Sequence, residues 1–358
     1  MDYEKRKSLY KELEQERDSY LFVYSTSFRQ NLSAGMAYDA IPIFIRQMER
    51  VPKDAKKADI LIASNGGDPM VAWRIISLLR DRFEEVSALI PYSAFSAATL
   101  LALGANEILM HPFSNLGPVD PQITSQEKAG TVLFGAEDLK HYFEFVKKDL
   151  GLTDQEHISV ALQKVHDKIS PTSIGTAKRS VSLLLSMVDK MLGMHIKDSN
   201  KVRAISEALH TSFYSHSHPI GRQEATDIGL PVKKPSEKIE KLMWEIWRSI
   251  SDEMKCEVPF NDMEIVLSNE EVARLLLPVP QLNMPKDLPL EVQQQILNAY
   301  LQTHPPVMVP PTPFSEKVAF IETRNLSACC CFKGKIQAVR MEDLNIRLSR
   351  LASAAWEC

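Results

Sequence analysis

Apolar positions fall into two rhythms along this chain. A charged segment, MDYEKRKSLYKELEQERDSY, reads as a helix, and Tyr20–Ser27 (YLFVYSTS) is rich in β-branched and aromatic residues, which predicts a strand. Ala37–Arg50 carries apolar residues at helical spacing, and Ala58–Ser64 is a second apolar strand. The turn Asn65-Gly66-Gly67-Asp68-Pro69 leads into an amphipathic helix over Met70–Phe83. Val86–Tyr92 predicts a third strand, Ser96–Leu103 a short helix of small residues, and Asn106–His111 a fourth strand. Helices separate strands that are continuously apolar instead of alternating. That pattern predicts an α/β fold with a mostly parallel sheet covered on both faces.

Further on, 136–150, 155–168 and 171–192 predict helices, and Thr211–Val232 a loop followed by a short helix ended by Gly229. Lys238–Met254 is helical again. Of the 21 prolines, 9 then fall between Pro278 and Pro313, which predicts an extended connector or wrapping arm around one helix, Leu290–Leu301. The block Glu316–Cys358 predicts a strand pair (KVAFIET and GKIQAVRM) and a terminal helix. The expected organisation is a charged N-terminal helix (1–19), an α/β domain (20–235), a helical extension (236–277), a proline-rich connector (278–313) and a small α+β element (314–358). The region beyond Pro278 is expected to serve assembly or access control, not chemistry.

Charge and composition narrow the classes. Among 358 residues, 42 Lys+Arg against 46 Asp+Glu leave a net charge of −4, which argues against a nucleic-acid partner. With 44% hydrophobic and 25% charged residues, a soluble globular protein is expected. The 5 cysteines show no disulfide or zinc spacing, which suits a reducing compartment. The N-terminal segment lacks an apolar signal core, so a cytoplasmic location is expected. Val86–Asn106 is uncharged and long enough for a membrane span, but Pro91, Ser93, Ser96 and Thr99 interrupt it and the period changes inside it. It reads as a buried strand and a buried helix, with no membrane span.

Candidate chemistry concentrates at two turns. Only 13 glycines occur, and Gly66-Gly67 sits between an apolar strand and a helix, at the carboxyl edge of a parallel sheet where ligands gather. An ordinary tight turn would look the same. No Gly-x-Gly-x-x-Gly or phosphate-loop lysine is present, so a nucleotide cradle is not expected. Ser96 opens a helix of small residues, where a serine serves either as an N-cap or as a nucleophile beside backbone N–H groups.

The order of these pieces resembles the Clp/crotonase-like serine peptidases, and within them the serine dehydrogenase proteinase family. Four stretches carry the resemblance: IASNGGDP, YSAFSAATLLALGANEILM, SNLGPVDPQI and HPIGRQEATDIGLPV, spanning about residues 20 to 232. It implies a Clp/crotonase-like ββα spiral with an appended C-terminal α+β region. It also implies a serine endopeptidase acting on peptides or unfolded proteins as a homo-oligomer, without metal or organic cofactor. Carried over by position, Ser96 is the nucleophile, and a backbone N–H of Gly67 or Asp68 joins that of Ala97 in an oxyanion hole. Asp120 and His216 complete a triad in the chain order Ser, Asp, His. Ala98 departs from the family's usual glycine beside the nucleophile.

Serine hydroxyls need an imidazole base, itself oriented by a carboxylate. His216 is expected to be that base and His218 its alternative, while the rival reading of Asp120 is a turn carboxylate capping the Gly117-Pro118 loop. A second reading uses a Ser–Lys dyad, with Lys178 or Lys147 as base and Lys140 and Lys148 also within range. A third is a catalytically silent scaffold that binds a partner peptide, and a coenzyme A thioester site is a fourth. His111, His141, His157, His166, His195 and His210 are scattered without metal-ligand spacing. Cys329-Cys330-Cys331 reads as a partly buried strand.

Overall fold

The computed structural model describes residues 2–119, 122–127, 130–211, 218–276, 284–285, 288–303, 306–341 and 345–357. The chain begins α1 (Tyr3–Arg17), β1 (Tyr20–Thr26), α2 (Ala40–Met48), β2 (Lys57–Ala63), α3 (Pro69–Arg82) and β3 (Glu85–Ile90). It continues β4 (Ser93–Ala94), α4 (Ala97–Leu103), β5 (Glu107–Met110), β6 (Asn115–Leu116), β7 (Gln122–Glu127) and β8 (Gly130–Gly135). A mostly helical stretch follows: α5 (Ala136–Glu144), α6 (Gln155–His166), α7 (Pro171–Gly193) and α8 (Ser199–Thr211). Then come β9 (Ile220–Gly221), α9 (Arg222–Asp227), β10 (Val232–Lys233), α10 (Glu237–Glu253), α11 (Asp262–Leu267) and α12 (Glu270–Leu276). The last elements are α13 (Leu290–Thr303), β11 (Val307–Met308), β12 (Thr312–Glu322), β13 (Ser327–Arg340) and β14 (Ile346–Glu357).

The central sheet has the order β10-β5-β3-β2-β1-β12-β13-β11, with β14 on the other edge of β13. From β10 to β1 every pairing is parallel, and β12 joins β1 antiparallel. Alternate strand residues are apolar on both sides because both faces are covered. Phe22, Tyr24, Ile60 and Ile62 pack against α2, α3, α4, α7 and α8, whereas Leu21, Val23, Leu61 and Ala63 pack against α1 and α10. Helix starts follow capping chemistry: the Asp68 carboxylate accepts the Met70 N–H at 2.8 Å with Pro69 at the first position of α3. Val86–Asn106 is a strand and a helix, as its change of period predicts, and no described helix is long and apolar enough to cross a membrane.

Three features differ from expectation. The terminal helix expected in the last block is a strand: β14 pairs with β13 from Arg340↔Ile346 to Cys329↔Glu357. Leu, Arg and Ala favour a helix there, but hydrogen bonding to a 14-residue neighbour overrides that weak preference. The C-terminal block is therefore all strand among its described residues, and through β12 it is continuous with the main sheet. It is also fastened there by charge. Glu322 of β12 is fully buried and accepts from Arg6 Nε (3.0 Å) and Nη2 (2.8 Å), Ser327 Oγ (2.7 Å) and the Tyr10 hydroxyl. Helix α8 and the hairpin β7–β8 (Gln122↔Gly135 to Glu127↔Gly130) are additions to the expected elements. Finally, the helix expected over 136–150 stops at Glu144 and finishes as a π turn over 145–149. The cysteine run lies within β13, with Cys330 and Cys331 buried, as expected of a partly buried strand.

Candidate active site

Past β3 the chain turns through Tyr92 and β4 into Ser96. This serine has φ 51° and ψ −117°, a backbone conformation that strains any residue with a side chain. Its side chain makes no capping hydrogen bond to α4, so the N-cap role is not what holds it there. Ser96 is half-buried, and no hydrogen bond joins its hydroxyl to a described residue. A strained serine on a strand-to-helix turn is the arrangement that lifts a nucleophile clear of its own backbone.

The Gly66-Gly67 turn closes directly over this elbow. A Cβ on Gly66 would stand 2.6 Å from Phe95 O and 2.8 Å from Ser96 Cβ, and one on Gly67 would stand 2.3 Å from Met36 O. Both glycines also have positive φ, 96° and 142°, so the close approach and the backbone conformation demand glycine together. Buried Ser64 supports the turn from below: its Oγ accepts the Gly66 N–H at 3.1 Å and lies 2.7 Å from Thr26 Oγ1.

Following the backbone donors narrows the oxyanion candidates. Asp68 N–H donates to Met36 O at 2.9 Å, so the amide named as an alternative to that of Gly67 is already used. Ala98 N–H donates to Phe95 O at 2.9 Å, and buried Ala98 sits in α4 with the helix intact. The N–H groups of Gly67 and Ala97 donate to no described group, and Gly67 is exposed. Two unspent donors beside a strained serine can stabilise an anion forming on an attacked carbonyl.

A small second sheet gathers the remaining segments. β4 pairs parallel with β6 (Ser93↔Asn115, Ala94↔Leu116), and β6 pairs antiparallel with β9 (Asn115↔Gly221, Leu116↔Ile220). Ser64 also bridges Ala94. Because of these directions, the chain after Ala94, the chain after Leu116 and the chain before Ile220 all leave from one end of the strip. Ser96 is two residues beyond Ala94, Asp120 four beyond Leu116 and His216 four before Ile220. Asp120 and His216 themselves lie outside the described residues. The approach to Asp120 is well held, since buried Val119 precedes it and Thr99 pins Gly117. Thr99 Oγ1 accepts the Gly117 N–H at 3.2 Å and lies 2.7 Å from Ala94 O and 2.9 Å from Gly117 O, donating to one of them.

Of the alternative bases, His218 stands two residues before Ile220, on the same converging segment as His216. His218 Nε2 is 3.1 Å from Glu224 Oε1 on α9. Lys147 and Lys178, like Lys140 and Lys148, are exposed, without the desolvation a lysine base requires. Burial pushes the His111 imidazole below its usual value, and its Nδ1 accepts the Phe113 N–H while the ring stacks on Trp244, a packing role. Among the described residues no three His, Cys, Asp or Glu side chains come together as a metal site. Thr26, Ser64, Thr99 and the strip β4–β6–β9 escape reasoning from sequence. The only available signal is that small hydroxyl residues cluster at the ends of apolar strands.

The family model of the ClpP-like SDH-type serine proteinases matches residues 3–261. The chain belongs to that family. Two uncharacterised proteins of Methanocaldococcus jannaschii are similar to this chain, 28% identical over 191 residues and 24% over 188, each match covering 52% of this chain. The chain spans just over half the length of these relatives, 57% and 56%. Among solved structures, a membrane-bound stomatin-specific protease carrying a Ser-to-Ala substitution overlays on 58% of this chain and 79% of its own. The TM-score is 0.36 and the identity 15%, too distant to transfer residue roles. The matched family region ends before β12, so the C-terminal strands of this chain lie beyond it.

Proposed function

We propose that this chain hydrolyses peptide bonds through an acyl-enzyme on Ser96. The observation that carries this reading is the strained, uncapping Ser96 lying against a glycine turn, with the N–H groups of Gly67 and Ala97 unspent beside it. Family membership supports the same chemistry. In the proposed reaction His216 takes the Ser96 proton as the hydroxyl attacks the carbonyl, and the two N–H groups hold the oxyanion. His216 then returns the proton to the leaving amine, and a water repeats the sequence to release the acyl group. Asp120 orients the imidazole and balances its charge. The convergence of three chain segments at one end of β4–β6–β9 supports assigning these roles to residues on those segments. A peptide or unfolded protein is the proposed substrate.

The lysine dyad has no observation in its favour, since Lys147 and Lys178 stand in solvent. The two histidines test the assignment. Against an unstructured peptide, His216→Ala is expected to lower kcat/KM by about 10² or more, because a general base contributes at least that much. His218→Ala should stay within about threefold. Small, equal losses for both, with a large loss for Lys147→Ala or Lys178→Ala, would replace the triad with the dyad.

A further inference from the structure

β14 closes one side of the C-terminal strands, and among the described residues its own far edge is unpaired. It runs 12 residues, pairs among the described residues only with β13, and most of its side chains are exposed, Leu351 by 83%. Every second residue of such an edge turns its N–H and C=O outward, so about six present unpaired backbone groups. Long open edges recruit another strand.

We propose that β14 pairs with β14 of a second copy, antiparallel, about a two-fold axis at Ala352. The alternation of side chains and the charges at the two ends fix this register. Ile346, Leu348, Ala352 and Trp356 are half-buried on the core side, and an axis through a residue keeps like-facing positions opposite each other, whereas an axis between residues does not. With the axis at Ala352, Leu348 meets Trp356 of the second copy, and Arg347 meets its Glu357, each pair occurring twice by symmetry. Arg347 is exposed and pairs with no described residue, whereas Arg350 is already bound to Asp262 at 2.6 Å. Moving the axis to Leu351 would set Arg347 against Ala355 and lose both ion pairs. Glu357 already meets Lys333 through Oε1, and its Oε2, 3.5 Å from Cys331 Sγ, carries the contact to Arg347 of the second copy.

The interface is independent of the active-site reading, and its test needs no activity. Sedimentation velocity on the full chain at tens of micromolar should show a species that Arg347→Glu or Glu357→Arg, each alone, converts to half its mass. Each change places like charges opposite one another at both ends and is expected to weaken the dimer about tenfold or more. An equimolar mixture of the two variants restores opposite charges at both ends, since one carries Glu at both positions and the other Arg at both, and should re-form the dimer. A wild type without the larger species, either variant at unchanged mass, or a mixture that stays dissociated would overturn the proposal.

Discussion

Ser96→Gly is expected to make the protein more stable and catalytically dead. A non-glycine residue held at φ 51° and ψ −117° costs of order 1–3 kcal/mol, and glycine removes that strain while costing roughly 0.5–1 kcal/mol in unfolded-chain entropy. A net gain of about 1 kcal/mol follows, or ~2 °C in Tm for a chain of this size. Ser96→Ala keeps the strain and should leave Tm nearly unchanged. Both changes remove the nucleophile, and peptide turnover should fall by at least about 10³-fold. A serine capping α4 from an unstrained backbone would behave otherwise: Ala would destabilise by about 1 kcal/mol and Gly by a few tenths, with no gain from either. Thermal unfolding and peptide turnover on the three proteins separate the two cases.

Asp120→Asn is expected to preserve the fold and to lower hydrolysis by about 10⁴-fold, the cost of the same change in a well-studied triad. The imidazolium formed when His216 takes the serine proton needs a nearby negative charge, and a carboxylate also selects the tautomer that presents a bare nitrogen to Ser96. An amide supplies neither. If Asp120 only capped the Gly117-Pro118 loop, Asn would cap nearly as well. Turnover within about threefold of wild type, with an unchanged circular dichroism spectrum, would remove Asp120 from the site and leave the triad order without its second member.

The parts of this fold that sequence made visible are those where burial is two-sided. β1, β2, β3 and β5 read as continuous apolar runs because helices cover both faces of the sheet. Ser96 was visible as a serine at a strand-to-helix turn, but its strain was not, since nothing in the local residue types demands a positive φ. The strip β4–β6–β9 consists of two-residue strands, too short to carry any period, so the convergence of three chain segments at its end was illegible. α8 had a readable pattern, with Val202, Ile205 and Leu209 at helical spacing, all buried in the main core. β14 misled through composition: its Leu, Arg and Ala favour a helix, while the alternation of Ile346, Leu348, Ala352 and Trp356 carried the correct period. The proline-rich stretch reads as an extended connector or wrapping arm, and the strand after it joins the sheet beside β1 and buries Glu322 against Arg6.

Ser96 is the proposed acylated nucleophile, and labelling the full chain with a fluorophosphonate probe, with mass-spectrometric mapping of the modified peptide, tests that role without a known substrate. The expected result is one modified residue, Ser96, with labelling abolished in Ser96→Ala. Modification at Ser93, or labelling that persists in Ser96→Ala, would contradict it.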